Sequence, residues 1–403
     1  DRRDGSGMTT TTKNKATTQR KTRLGTTDTA TDRKAVPHQG MPPFDASGPP
    51  TSWFEFWPGW LFYMPIYLHW LLMIFKYRRT GLPVVANPRW PMGGMVEDSK
   101  IGVFRQLEGH ARDTCAPFAW IYTAKDEYLE TRVAKDVANA KRAMKDAGLK
   151  WPLIAKPDIG CRGQGVRRIR SDEMLAEWLR EYPSDEGVVL QEIVNHEAEA
   201  GVFYIRLPGE KQGFIFSLTL KYFPWVAGDG VSTLKELIMA DPRAGKLPHM
   251  YLPKHKERLN WIVPEGEHFR LVHTGAHSKG TIFRNGNPYI TDAMAKAFDR
   301  IADDIPDFTF GRFDVRFKNI KLLQQGKGFK VLEINGASSE ATHIWDRNVT
   351  LRHAWSVLWK QWDYLWECGA LQARRGWKPP SGWLLLWYLR QEKKKTSTYP
   401  IPD

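Results

Sequence analysis

GRFDVRF at residues 311–317 and VLEINGASSE at residues 331–340 decide how this chain folds. Both stretches alternate apolar and polar residues, the period of a strand with one buried face. Arg312 and Asp314 fall on one side of the first, and Glu333 and Asn335 on one side of the second. Two carboxylates and an amide oxygen on neighbouring strands make a hard, oxygen-only donor set, suited to a magnesium ion bridging nucleotide phosphates. A charge inside an otherwise apolar strand is costly unless it is paired or binds metal. A solvated strand face would explain either strand alone and is a poor explanation of both. Arg312, two residues before Asp314, is placed to hold developing negative charge.

Upstream, the strand signal LIA (153–155) runs into KPDIGCRGQGV (156–166). Its three glycines allow backbone N–H groups to approach a polyphosphate, and Lys156 adds a cation at the strand end. No GK[ST] follows, and Arg168 stands where a dinucleotide fingerprint needs its third glycine, so both of those motifs are excluded. Alone, the loop reads equally well as a flexible surface turn. Residues 188–206, VVLQEIVNHEAEAGVFYIR, read as strand, polar turn and strand, a hinge able to grip a base through its backbone and a ribose through a carboxylate. Further strands are expected in FIFSLTLKYF, FRLVHTG and FKVLEING, and helices at 127–147, 172–180, 233–239 and 292–301.

In this order the pieces resemble the ATP-grasp superfamily, in particular the carboxylate–amine ligases related to D-alanine–D-alanine ligase and cyanophycin synthetase. The resemblance covers about residues 127–347 and is most specific at Arg312-x-Asp314 and Glu333-x-Asn335; GDGVSTLKELI (228–238) is similar to a segment of some of these ligases. It implies an α/β (α+β) fold of two subdomains gripping ATP. Position by position, it implies that Lys156 touches the phosphates and that Gly160, Arg162, Gly163, Gly165 and Val166 form a mobile loop over them. Gln191, Glu192, Ile193 and Val194 would line the adenine pocket, Glu199 would bind ribose, and Lys221 would be a second nucleotide lysine. Asp314, Glu333 and Asn335 would bind Mg²⁺ or Mn²⁺. Arg312 and Lys156 would stabilise the transferring charge, and His273, His277 and His343 are candidates to take the proton of an incoming ammonium, each also readable as structural or substrate-positioning.

The remainder is flank. Residues 1–52 hold eleven threonines before Asp32 and no apolar period, and are expected to be a disordered tail, with Met8 a candidate natural start. Residues 56–75, FWPGWLFYMPIYLHWLLMIF, carry no formal charge, and Lys76, Arg78 and Arg79 follow. Twenty helical residues span about 30 Å, the thickness of a bilayer's hydrocarbon core. Pro65, expected to kink a helix, and the many aromatic rings leave a span, an interfacial insertion and a buried or oligomeric contact all open. Trp355, Trp359, Trp362 and Trp366 put an indole stripe on one helical face, readable equally as core packing or as a membrane anchor, and WLLLWYLR (383–390) and Lys393–Lys395 lie beyond it.

The net charge of +14 divides the same way: residues 81–350 hold +3, and the ends hold the other +11. Basic ends rich in indole are expected to meet an anionic membrane surface, not nucleic acid. Three scattered cysteines fit a reducing compartment.

The division expected is tail 1–52, membrane helix 53–80, a short N-terminal α/β segment 81–126, catalytic domain 127–350 and a Trp-rich C-terminal region 351–403. The function expected is a membrane-associated enzyme, its catalytic domain on the cytoplasmic face. It would activate a small-molecule or lipid-like carboxylate with ATP and couple it to an amine, with homo-oligomerisation through the flanks a further expectation. A phosphotransferase on the same site and a catalytically silent membrane scaffold are the alternatives.

Overall fold

The computed structural model describes residues 36–380, apart from 97–98, 126–127 and 161–162, together with 384, 387–388 and 390. The expected tail before residue 36, Met8, Arg162 and Lys393–Lys395 lie outside the described residues.

Two antiparallel sheets face each other. The larger has five strands in the order β11-β10-β5-β6-β9, formed by Phe329–Asn335, Phe310–Phe317, Ala198–Ile205, Phe214–Tyr222 and Ile282–Asn285. The smaller has four in the order β1-β4-β2-β3, formed by Phe118–Tyr122, Gly187–Glu192, Leu153–Pro157 and Arg167–Ile169. The strand expectations in FIFSLTLKYF, GRFDVRF and FKVLEING are therefore met almost residue for residue. FRLVHTG shortens to β8 (His268–Arg270), which pairs with β7 (Trp225–Ala227) in an inserted unit with its own small core. The edge strand Phe118–Tyr122 comes from the segment before residue 126 and pairs with Gly187–Gln191.

One face of each sheet is closed by amphipathic helices. Val133, Ala140 and Met144 of α3 (Leu129–Asp146) and Leu175, Trp178 and Leu179 of α4 (Asp172–Glu181) are buried on the small sheet. Met294, Phe298 and Ile301 of α6 (Asp292–Asp303) are buried on the large one. At about 1.5–3 kcal/mol for each large side chain removed from water, these faces supply most of the drive that joins helix to sheet. The opposite face of the large sheet keeps its polar residues and looks toward the small sheet.

The stretch NPRWPMGG (87–94) acts as a bracket. Asn87 lies 1% exposed; its amide donates to the carbonyls of Gly93 (3.2 Å) and Phe310 (2.8 Å), and its oxygen accepts from the N–H of Thr309 and Phe310. Gly93 and Gly94 then accept from the N–H groups of Ala337 and Ser338, fixing the loop that follows Asn335. At Gly94 φ is +75°, and a Cβ there would lie 2.7 Å from the Cα of Gly336.

The expected membrane helix is corrected. Residues 56–75 form a short turn of helix at Gly59–Phe62 and then α1 (Met64–Tyr77). Pro65 sits in the first turn of α1, where its missing N–H costs nothing, and so starts a helix instead of kinking one. Fourteen residues reach about 21 Å. No helix among the described residues is long and apolar enough to cross a membrane, and this overturns the membrane-associated location with a cytoplasmic catalytic face. The indole stripe of α7 (Leu351–Arg374) is a packing surface: Trp362 and Trp366 meet Trp70 at 4.7 and 5.9 Å between ring centroids. Trp355 and Trp359 donate their ring N–H to the carbonyls of Phe62 (2.9 Å) and Pro65 (3.3 Å).

Gly94→Ala combines a left-handed backbone with a forced approach to Gly336. It is expected to cost roughly 2–4 kcal/mol, read as a lowered denaturant midpoint with an unchanged slope.

Candidate active site

The antiparallel register puts three polar rows across the inner face of the large sheet, because residues directly opposite each other point the same way. The first is Asn335, Arg312, Phe203 and Ser217; the second is Glu333, Asp314, Gly201, Thr219 and Asn285; the third is Arg316, Glu199, Lys221 and Phe283. Gly201 is required in the middle row, since a Cβ there would stand 3.0 Å from Arg312 Cδ and 3.3 Å from Asp314 Oδ1. The alternation seen in RFDVRF and LEIN thus builds one surface from residues 199 to 335.

Asp314 is the hub. Its Oδ1 accepts from Arg312 Nε (3.0 Å) and faces Lys221 Nζ (3.1 Å), while Asn335 donates to Oδ2 (3.3 Å). Burial pushes the Asp314 carboxyl up, but Arg312 and Lys221 outweigh it and hold it down at about 2. The second carboxylate, Glu333, is treated alike: burial raises it, and Lys100 and Lys156 bring it below its usual range. Lys221 is pulled down by burial and carried above its ordinary value by Asp314 and Glu199. Glu199, expected to hold a ribose, is buried in ion pairs with Lys221 (3.0 Å) and Arg316 (3.4 Å).

The small sheet supplies the lid of cations. Lys156, at the end of β2, donates to Gln191 Oε1 (2.8 Å) and across the cleft to the carbonyl of Leu332 (3.2 Å), one residue before Glu333. Beyond it, Gly163 of the glycine loop packs on Thr274 of the inserted unit, and the carbonyl of Gly165 accepts from Trp178 Nε1. In the hinge, Glu192 is exposed, Ile193 and Val166 are half-buried, and buried Val194 gives its carbonyl to Arg316 (3.1 Å).

Lys100 was missed from the sequence. It lies on α2 (Lys100–Phe104), 8% exposed, and its Nζ reaches Gly160 O at 2.9 Å and Glu333 Oε1 at 3.3 Å. Asp158 fixes that helix by accepting from Ser99 Oγ and the N–H of Ile101. The stretch EDSK carried a legible capping signal, Ser99 before a short helix, but nothing that tied its lysine to a residue 233 positions later.

Of the three histidines, His343 Nδ1 bonds Ser217 Oγ of the first row at 2.6 Å. Burial, with Arg270 beside it, holds His273 down at about 3, and burial holds His343 at about 4. His277 pairs with Glu55 at 2.8 Å and stacks on Trp345. A neutral imidazole with so low an affinity for protons is a weak acceptor for His273 and His343 alike.

The donor set fits a divalent cation and a polyphosphate. Asp314, Glu333 and Asn335 offer hard oxygens on adjacent strands. Around them five cations (Lys100, Lys156, Lys221, Arg312 and Arg316) face three carboxylates (Glu199, Asp314 and Glu333), a surplus of two positive charges in a largely buried cleft. Such a surplus favours a multiply charged anion.

No family model matches the chain, and no curated protein is a significant match. Solved structures do match it. A bifunctional glutathione synthetase from Pasteurella multocida is 15% identical over 69% of this chain and 38% of its own, with a TM-score of 0.36. D-alanine–D-alanine ligase from Bacillus anthracis is 12% identical over 71% and 72%, with a TM-score of 0.37, and a D-cycloserine synthetase is 14% identical over 75% and 81%, at 0.34. This chain spans 38% of the length of the glutathione synthetase. An ATP-grasp ligase complexed with its minimal precursor is 12% identical over 66% of this chain and 60% of its own, with a TM-score of 0.33. At such scores these matches carry nothing about substrates, and the functional reading stands on this chain's own side chains.

Burial, opposed by Glu333, holds Lys156 down at about 8. Below that pH it is charged and able to meet a phosphate; above it the charge is lost. The affinity for MgADP is therefore expected to fall about tenfold per pH unit above 8, with proton uptake on binding that calorimetry in buffers of different ionisation enthalpy would read. The same depression means that the unfolded chain binds more protons than the native one between pH 8 and 10.5, so this lysine's contribution makes stability rise with pH across that window.

Proposed function

We propose that this chain is an ATP-dependent ligase that activates a carboxylate as an acylphosphate and joins it to an amine, releasing ADP and phosphate. The observation that carries the reading is the juxtaposition of Asp314, Glu333 and Asn335 with Lys100, Lys156, Lys221 and Arg312 in one cleft.

A carboxylate is a poor electrophile until it bears a good leaving group, and installing a phosphoryl group means bringing two anions together. In the proposed first step the substrate carboxylate oxygen bonds to the terminal phosphorus of ATP as the bond from that phosphorus to the ADP oxygen breaks. Lys156 and Lys100 hold the phosphates from the small-sheet side, and Lys221 and Arg312 hold them from the large-sheet side, so the repulsion is offset from both walls. A magnesium ion on Asp314, Glu333 and Asn335 would supply Lewis-acid charge to the phosphate oxygens. In the second step an amine nitrogen bonds to the acyl carbon and phosphate departs. Arg312, held in plane by Asp314, faces the region where oxyanion charge develops. No protein nucleophile is required.

Glu333→Gln keeps the shape and hydrogen-bonding capacity of the side chain and removes its charge. It is expected to lower Mg²⁺-dependent ADP release, measured against a pooled library of carboxylates and amines, by at least about a hundredfold, with an unchanged melting temperature. Full turnover in this variant would remove the metal assignment. The product mass decides the chemistry: an amide, lighter than acid plus amine by one water, supports ligation, and a stable phosphorylated product would mean phosphotransfer instead.

A further inference from the structure

The loop after Asn335 is gripped by both tryptophan-rich flanks, and the grip converges on one residue, Glu340. From the amino-terminal flank, Tyr63 Oη donates to Glu340 Oε2 at 2.6 Å. From the loop itself, Trp345 Nε1 donates to Oε1 at 2.9 Å, and Phe54 and Phe62 back the Trp345 ring. From the carboxy-terminal flank, Gln361 of α7, 2% exposed, donates to the carbonyl of Ser339 (3.0 Å) and accepts from the N–H of Ala341 (2.9 Å). Both carboxylate oxygens of Glu340 and the peptide groups on either side of it are thus fixed. What they fix is a carbonyl: Glu340 O accepts from Arg312 Nη1 at 3.2 Å.

Arg312 has two anchors in the described residues. Asp314 holds its Nε edge, and the Glu340 carbonyl holds Nη1. A guanidinium is planar, so these two anchors set the plane in which its remaining N–H groups point. We propose that Tyr63 is a positioning residue for Arg312, acting through Glu340, so that the amino-terminal helical flank is part of the site's charge-stabilising machinery. This rests on the reading of Arg312 given above.

The test uses the full chain and probes that need no acceptor: MgADP alone, and MgADP with tetrafluoroaluminate, which mimics the transferring phosphoryl group. Wild type is expected to bind MgADP and to gain affinity when the fluoroaluminate is added. Tyr63→Phe keeps the ring and removes the donor. It is expected to match wild type for MgADP within twofold and to lose about tenfold of the fluoroaluminate gain. In an Arg312→Lys background the same substitution is expected to add no further loss, since the two changes then act on one interaction.

Equal losses for both probes, an undiminished gain, or full additivity with Arg312→Lys would each overturn the proposal, because each is what a purely structural tyrosine predicts. Glu340→Gln tests the link from its other end and decides in the same way should Tyr63→Phe unfold. A wild type that fails to bind MgADP defeats the nucleotide site itself, whereas one that binds MgADP without any fluoroaluminate gain defeats the role of Arg312 and the relay with it.

Discussion

Asp314 is a carboxylate that the fold buries between two cations, and the rest of the cleft follows from keeping those buried charges paired. Removing either Arg312 or Lys221 would break one of two buried ion pairs and leave Asp314 with the other cation alone. The neighbours are recruited for the same reason: Lys221 is shared with Glu199, Glu199 with Arg316, and Glu333 with Lys100. The first two pairings cross from strand to strand and so hold the register of β5, β6 and β10, and the third ties α2 to β11. The chain carries a surplus of cations over carboxylates here, and it can do so because every cation has an oxygen partner already in reach.

That electrostatic arrangement needs a rigid frame, and much of the frame is backbone. Asn87 satisfies four peptide groups from one buried amide, and the left-handed Gly93 and Gly94 offer their carbonyls to the loop beyond Asn335. This is a costly conformation for the chain, with Met92 at φ +47° beside two glycines, and it is retained where the loop must be pinned against a strand that carries site residues. The contribution of this segment is made by main-chain atoms, which composition and motif do not register.

The same distinction explains what could be read in advance. Asp314, Glu333 and Asn335 were legible because a strand has a period of two, so a polar residue at the right parity must lie with its neighbours on one face. Lys156 was legible because it ends a strand and precedes a glycine loop. Lys100, Tyr63 and Glu340 were not, because their meaning depends on contacts across 233 and 277 positions that no local pattern encodes. The tryptophan stripe was legible as a stripe, and whether a core or a membrane covers it was left open. An indole has an apolar body and one N–H to satisfy, and those needs are met equally by a lipid interface and by a facing helix that offers a backbone carbonyl. The facing helix is the partner found: the carbonyls of Phe62 and Pro65 accept from Trp355 and Trp359.

The basic ends then take on a different significance. Residues 81–350 hold only +3, yet within them five cations face three carboxylates in one cleft. Net charge averages over the surface, while a binding site depends on local imbalance in a poorly solvated place, where each unit interacts several-fold more strongly than it would in water. The flanks contribute to that imbalance through geometry, not through their own charge. Glu340 spends both of its oxygens on Tyr63 and Trp345, so what it delivers to Arg312 is a neutral carbonyl held in place. Its carboxylate, accepting from two neutral donors, keeps its charge and adds to Asp314 in holding Arg312 as a cation.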